Sequence, residues 1–305
     1  MPRQAIILAA GFGTRLLPLT RYLPKPLLPI LDEPAIAALY HRISQAGFEK
    51  IVINTHHLSD QIETWAKDAG LSPAPILSHE VQIMDTAGAL ALARQFLEKD
   101  APLLIWNSDV VANVDPALLW KEYERAGCPD AMLVVHDRAP FNKLRLDQDG
   151  NIASFSFNGS GARAFTGISI IGPKLLSSIP MTACSLVKVW LRAIEDRQTV
   201  AAIDISKVVP EEEPLWEDIG TFEGYFRATR AVMEARKIGS AFISPRARMD
   251  EPVYLSGTVA IYGDARISSG TRLHDVVVLP GTEIAAPADM DISQAIVTAW
   301  GTFHF

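Results

Sequence analysis

Two periodicities follow one another along this chain, and together they leave few folds open. Up to about residue 236, short apolar runs alternate with stretches of helical period. The runs fall at 5–10, 51–54, 103–107, 131–136, 165–171 and 200–205. The helical stretches fall at 34–46, 59–69, 87–98, 116–126, 185–197 and 221–236. Alternation with connections of this length predicts an α/β fold on a doubly wound, mostly parallel, Rossmann-like sheet. From Ile243 the period becomes six, through Met249, Leu255, Ile261, Ile267, Leu273 and Leu279. Small or β-branched residues (Ala247, Val253, Val259, Ala265, Thr271 and Val277) follow four positions after the first six of these. Neither a helix nor simple alternation gives a strict six, whereas a hexapeptide repeat stacking aliphatics coil on coil does. The division expected is an α/β domain over 1–238 and a short β-helix over 239–305.

The first apolar run ends in a chemically loaded loop. Ala5-Ile6-Ile7-Leu8-Ala9-Ala10 stops at Gly11-Phe12-Gly13-Thr14-Arg15, and Pro24-Lys25-Pro26 follows shortly after. Glycines let backbone N–H groups approach an oxyanion, and successive N–H groups in a turn form an anion-binding concavity. Arg15 adds a planar fork of donors suited to phosphate oxygens. The flanking prolines stiffen the segment from which Lys25 projects. A P-loop is absent, and the dinucleotide fingerprint fails because its third glycine is Leu16. Asp32 lies near the distance of that fingerprint's ribose-binding acid, but in a proline-rich loop. The loop is a site for a polyphosphate.

Composition narrows the partners. With 49% hydrophobic residues the chain can fill a large core, yet no apolar run reaches the ~18 residues of a membrane helix. The six-residue run near the start is too short for a signal-peptide core. Cys128 and Cys184 match no metal or redox spacing and suit a reduced, cytoplasmic protein. A net charge of −7 without a dense basic stripe argues against nucleic acid, and nothing suggests a membrane.

The loop also has a relative. Leu8-Ala9-Ala10-Gly11-Phe12-Gly13-Thr14-Arg15-Leu16-Leu17-Pro18-Leu19-Thr20, followed by Pro24-Lys25-Pro26-Leu27, resembles the signature of sugar-phosphate nucleotidyltransferases, the NDP-sugar pyrophosphorylases. The resemblance implies nucleotidyl transfer from an NTP to a sugar 1-phosphate, with release of pyrophosphate. A sugar 1-phosphate is already an ionised nucleophile, so the reaction requires charge neutralisation and in-line placement rather than a general base. By the resemblance, Ala9, Ala10, Gly11, Gly13 and Thr14 bind the nucleotide. Arg15 stabilises the departing pyrophosphate, and Lys25 holds the α-phosphate or the sugar phosphate. Asn107-Ser108-Asp109 stands where the family has Asn-Gly-Asp, and Trp216-Glu217-Asp218-Ile219-Gly220-Thr221 matches its Trp-x-Asp-x-Gly-Thr. Asp109 and Asp218 are therefore implied magnesium (Mg2+) ligands, although either alone would suit a helix cap or a turn.

The rest of the substrate site is thinner. Glu80-Val81-Gln82-Ile83-Met84-Asp85-Thr86-Ala87-Gly88-Ala89 resembles the family's base-binding loop and implicates Glu80, Thr86, Ala87 and Gly88. A tightly packed helix start would use the same small residues. Thr166 and Gly167 are implied with Lys25 at the sugar phosphate, but the family's Glu-Lys-Pro is missing from Phe155–Gly161. Phe165-Thr166-Gly167 looks like the N-acetylmuramate 1-phosphate uridylyltransferase branch. The C-terminal repeat and Thr86-Ala87-Gly88 look like mannose-1-phosphate guanylyltransferases. The base and the sugar stay open, and His56-His57 receives no catalytic role. Two other readings stand beside this one: a cytidylyltransferase acting on phosphocholine or a similar phosphate, and a catalytically silent nucleotide-sugar-binding regulatory subunit. The repeat itself resembles a left-handed β-helix with three hexads to a coil. Only about two coils are present, so it should lean on the first domain or support a homo-oligomer through its β edge.

Overall fold

The computed structural model of the protein describes residues 2–156, 159–210, 213–285 and 291–305. Phe157 and Asn158, within the segment that lacks Glu-Lys-Pro, lie outside the described residues. The apolar runs become a seven-stranded sheet. Its members are β1 (Gln4–Leu8), β2 (Lys50–Thr55), β3 (Ile76–His79), β4 (Leu103–Asn107), β5 (Ala131–His136), β6 (Ala164–Ile171) and β7 (Val200–Asp204). The order is β7-β5-β6-β4-β1-β2-β3. All neighbours are parallel except β6, which runs against both β4 and β5 and slips register between Phe165 and Ser169. Parallel strands covered on both faces read as continuous apolar runs, as Ala5-Ile6-Ile7 and Leu103-Leu104-Ile105-Trp106 do.

Between the strands run α1 (Ala35–Gln45), α2 (Ser59–Asp68), α3 (Asp85–Ala93), α4 (Pro116–Arg125), α5 (Pro173–Ser178) and α6 (Leu186–Glu195), with α7 (Phe222–Ala235) after them. Helix α4 shows the local logic: the Asp115 carboxylate accepts from Ala117 N at 2.7 Å, and Pro116 takes the first helical position. Leu90 and Ala93 of α3 and Val189 and Trp190 of α6 pack with Ile6, Val52, Leu103 and Leu133 of the sheet. No helix among the described residues is long and apolar enough to cross a membrane.

The chain divides into two compact units, one of Met1–Phe12 and Leu39–Trp216, the other of Gly13–Ala38 and Glu217–Phe305. The first holds the seven-stranded sheet. The second combines the loop after Gly13, helix α7 and the C-terminal strands. Those are β8 (Ala241–Ile243), β9 (Arg248–Met249), β10 (Tyr254–Ile261), β11 (Arg266–Ile267), β12 (Arg272–Val278), β13 (Glu283–Ile284), β14 (Asp291–Thr298) and β15 (Gly301–His304). They form two sheets, β8-β10-β12-β14-β15 and β9-β11-β13, parallel but for the antiparallel β14–β15 hairpin. Partners sit about three hexads apart in sequence: Ala241 faces Val259, Arg248 faces Arg266 and Tyr254 faces Arg272. The hexad aliphatics Ile261, Ile267, Leu273 and Leu279 are buried.

The second unit is also tied together by buried phenols. Tyr225 of α7 donates to the Pro29 carbonyl, and the Thr229 and Tyr262 hydroxyls lie 3.3 Å apart. Burial raises the Tyr225 phenol well above its usual range and pushes Tyr262 up to about 12. Asp32 has a structural task here: its carboxylate accepts from Gly263 N at 2.7 Å.

Candidate active site

In the first unit the candidate residues gather at the carboxyl ends of β1, β2, β3 and β4, where ligands bind in sheets of this kind. Strand β1 stops at Leu8 because the Ala9 N–H leaves the ladder and donates to Asn54 Oδ1 at 2.6 Å. Asn54 Nδ2 donates to Glu80 Oε1 at 2.6 Å, and Glu80 Oε2 accepts from Met84 N at 2.7 Å. Asn54 and Glu80 are 3% and 1% exposed, so this relay is interior. His56 Nδ1 lies 2.8 Å from the Glu80 carbonyl oxygen, and Phe12 packs against the rings of His56 and His57. Three loops are thereby tied together: the start of the glycine loop, the turn after β2 and the 80–84 loop. Around Gly11, where a Cβ would stand, there is open space.

Asp109 stands beside this cluster on a stiff turn. Ser108 N donates to the Leu8 carbonyl at 3.0 Å, and Trp106 Nε1 donates to the Val110 carbonyl at 3.3 Å. From the other side the register slip of β6 presses in. Gly167 has φ +81, and a Cβ there would lie 2.8 Å from Val110 Cγ2 and 3.0 Å from Asn107 Nδ2, so only glycine allows this approach.

In the second unit two of the charged candidates meet. Arg15 Nη2 lies 3.5 Å from Asp218 Oδ2, with the two side chains 57% and 19% exposed. The other Asp218 oxygen accepts from Gly220 N at 2.6 Å, and a Cβ on Gly220 would strike the Arg15 guanidinium. Gly13, at φ +62, turns the chain so that a Cβ there would sit 2.8 Å from Thr20 Cγ2 and 3.6 Å from Lys25 Cβ. Thr20 Oγ1 donates back to the Gly13 carbonyl at 3.0 Å. Lys25 opens a 3-10 turn, Lys25–Leu27, between the two prolines. Thr14 is exposed beside Arg15. This half thus holds an arginine, a lysine and a carboxylate on a scaffold of tight turns. Asp109 and Asp218 each offer hard oxygen donors from a fixed turn, which fits a cation such as magnesium.

The family model for nucleotidyl transferases matches residues 4–235. The chain belongs to this family, and it is a nucleotidyltransferase. Mannose-1-phosphate guanylyltransferase 1 of Arabidopsis thaliana is 25% identical in an alignment covering 96% of this chain and 85% of that one. The UTP–glucose-1-phosphate uridylyltransferase of Synechocystis is 26% identical, with 96% and 81% covered. The catalytic subunit beta of mannose-1-phosphate guanylyltransferase from Drosophila pseudoobscura pseudoobscura is 29% identical over 71% of this chain, which spans 59% of the fly protein. Among solved structures, HddC from Yersinia pseudotuberculosis complexed with GMP-PN gives a TM-score of 0.62 at 22% identity, covering 75% of this chain and 99% of that one. A putative glucose-1-phosphate thymidylyltransferase from Bacillus anthracis, in complex with a sucrose, gives 0.63 at 20% identity, covering 75% and 94%. At those identities the likeness is one of fold.

Several candidates of the nucleotidyltransferase are occupied by its own structure. Both Glu80 oxygens are engaged, so this carboxylate organises the 80–84 loop from beneath. The Thr86 hydroxyl accepts from Leu186 N at 2.8 Å at the start of α6. The N–H groups of Ala87 and Gly88 both donate to the Cys184 carbonyl, and a Cβ on Gly88 would lie 2.8 Å from the Thr182 carbonyl oxygen. The tight packing of this helix start is thus the visible role of its small residues. Thr166 is 1% exposed, and its hydroxyl donates to the Val134 carbonyl at 2.8 Å, while Trp216 Nε1 donates to the Thr166 carbonyl. Phe165 and Phe155 flank Trp190, with ring centroids 5.1 and 5.7 Å away. Sequence reasoning missed Asn54, which joins the glycine loop to Glu80; its position at the end of β2, beside Leu8, was the available signal.

Proposed function

We propose that this nucleotidyltransferase carries out Mg2+-dependent transfer of a nucleotidyl group from an NTP to a sugar 1-phosphate, giving an NDP-sugar and pyrophosphate. The observation that carries the reading is the Arg15–Asp218 pair, on a loop whose Gly13 lies against the Lys25-bearing turn. Arg15 suits the pyrophosphate that leaves, because a guanidinium pairs with phosphate oxygens in a fork. Lys25 suits the phosphate of the incoming sugar or the α-phosphate of the NTP. Asp109 and Asp218 are the proposed magnesium ligands; the bound cation would supply neutralisation of phosphate charge. Ala9, Ala10, Gly11, Gly13 and Thr14 line the nucleotide side, and Gly167 keeps β6 close to the Asp109 turn. GTP with mannose 1-phosphate is the first pair to assay, since relatives bearing that name align over nearly the whole chain.

The C-terminal strands are proposed to form a short left-handed β-helix, supported by parallel partners that recur about every three hexads. We assign chemistry to 1–238 and assembly to 239–305, with the β-helix edge as the homo-oligomer contact and a cytoplasmic setting. The test is pyrophosphate release from GTP, UTP, CTP, ATP and dTTP against mannose 1-phosphate, glucose 1-phosphate and phosphocholine, with and without EDTA. EDTA-sensitive turnover with a sugar 1-phosphate is expected. Turnover with phosphocholine alone would move the substrate class. No turnover with any pair, alongside tight NDP-sugar binding, would make the chain a sensor.

A further inference from the structure

The loop from Gly13 to Leu28 carries Arg15 and Lys25, yet its only regular elements are three-residue 3-10 turns at Thr14–Leu16, Leu19–Arg21 and Lys25–Leu27. A loop of this length holds one conformation only through tertiary anchors. Near Gly13 the anchors are Thr20 Oγ1 on the Gly13 carbonyl and the fully buried Leu16 and Leu19. At the far side the contact is aromatic. Tyr22, three residues before Lys25, stacks on Trp300 with centroids 5.0 Å apart and planes within 5°. Trp300 sits at the tip of the β14–β15 hairpin, where its N–H donates to Thr298 Oγ1 at 3.0 Å and Thr298 Oγ1 donates to the Gly301 carbonyl at 3.0 Å. The tip is a closed, hydrogen-bonded turn.

The same hairpin reaches the other charged arm. Phe303 stacks on Phe222 at 4.9 Å, and Phe305 packs on Phe226 at 4.8 Å. Phe222 is the first residue of α7, four positions after Asp218. A Cβ on Gly224 would strike the Asp218 carbonyl, so the start of α7 and the Asp218 turn are packed as one piece. One C-terminal hairpin therefore touches both segments that bring Arg15 to Asp218. Offset-stacked and near-parallel rings impose an orientation that simple apolar burial does not.

We propose that Trp300 is a positioning residue for the transfer reaction: through Tyr22 it fixes the loop carrying Arg15 and Lys25, while Phe303 fixes the helix behind Asp218. This rests on the nucleotidyl-transfer reading, and it gives the C-terminal hairpin a part in turnover beyond assembly. The test compares Trp300→Ala and Trp300→Phe with Tyr254→Ala, a substitution at an exposed aromatic on β10. Full-length protein is assayed for pyrophosphate release with GTP and mannose 1-phosphate, or with whichever pair the wild type turns over. Trp300→Ala should lower kcat about tenfold through misplacement of the charged groups, Trp300→Phe should recover to within about twofold, and Tyr254→Ala should match wild type. In an Arg15→Ala, Lys25→Ala background, Trp300→Ala should cost less than about twofold more, because both groups it positions are already gone.

A second readout is independent of turnover. Amide hydrogen exchange across residues 14–28 should rise about tenfold or more in Trp300→Ala while residues 103–107 keep their protection. This arm stands even if no substrate pair is turned over by the wild type, so a failed functional reading is distinguishable from a failed brace. Unchanged exchange in 14–28 overturns the brace. Raised exchange with unchanged kcat overturns its role in positioning, as does a loss that multiplies in full with the Arg15→Ala, Lys25→Ala pair.

Discussion

The two units hold their candidate residues by different means. In the sheet unit, Asn54 and Glu80 are all but inaccessible, and their hydrogen bonds of 2.6 and 2.7 Å fix backbone at three strand ends. In the other unit, Arg15 is more than half exposed, and its partner Asp218 lies 3.5 Å away. A buried, fully paired polar network is rigid and intolerant of change. A pair as exposed as Arg15–Asp218 contributes little to stability and is free to exchange its partner for a phosphate or a cation. On the proposed reading, the residues of the sheet unit place the nucleotide and those of the other unit handle charge. Substitutions on the charged side should therefore strike turnover, and those on the buried side should strike stability and nucleotide affinity.

The largest effect is expected at the carboxylates. Asp109→Asn and Asp218→Asn should each lower kcat by about a hundredfold or more with melting temperatures near wild type, since each removes a proposed cation ligand from the surface of a turn. Near-normal rates at saturating magnesium in either variant would remove that residue from the proposal. Arg15→Ala comes next, with kcat down by roughly ten- to a hundredfold and little change in KM. Lys25→Ala should change both parameters. If neither moves, the Pro-Lys-Pro segment is a structural brace alone.

Smaller effects belong to the sheet unit. Glu80→Gln replaces an oxygen that accepts from Asn54 Nδ2 or from Met84 N with an NH2 group, turning one buried hydrogen bond into two facing donors. A loss of about 1–3 kcal/mol in unfolding free energy and a raised KM for the NTP should follow, measurable by denaturant titration and steady-state kinetics. A variant as stable as wild type would show the relay to be slack. At the bottom of the scale, Arg192→Ala removes an exposed pair with Asp196 on α6, with side chains 83% and 66% exposed, and should change neither stability nor rate.

The strands and helices were legible because period carries them: Leu103–Asn107 and Ala131–His136 have the expected bounds. Strand β3 was not, since Ile76–His79 is four residues at the sheet edge, reached from a proline-rich approach. The family and its reaction class were legible from the glycine loop and the two aspartate motifs. What escaped was pairing across distance. Nothing in the spacing of Asn54 and Glu80 announces a buried amide–carboxylate contact, so Glu80 read as a ligand for the base. Tyr22 and Trp300 are far apart in sequence and individually unremarkable. The loop after Gly13 read as part of the first domain, whereas its contacts group it with Glu217–Phe305. Local pattern gives elements, but which unit a loop belongs to is decided by the side chains that close over it.

The division of labour is tested most directly by assaying wild type, Glu80→Gln and Arg15→Ala together for pyrophosphate release across NTP concentration. The predicted result is a KM effect in Glu80→Gln with kcat within about threefold of wild type, and a kcat effect in Arg15→Ala with KM nearly unchanged. The reverse pattern, or the same pattern in both variants, would contradict the proposal that the buried relay of the sheet unit places the nucleotide and the exposed Arg15 handles the charge.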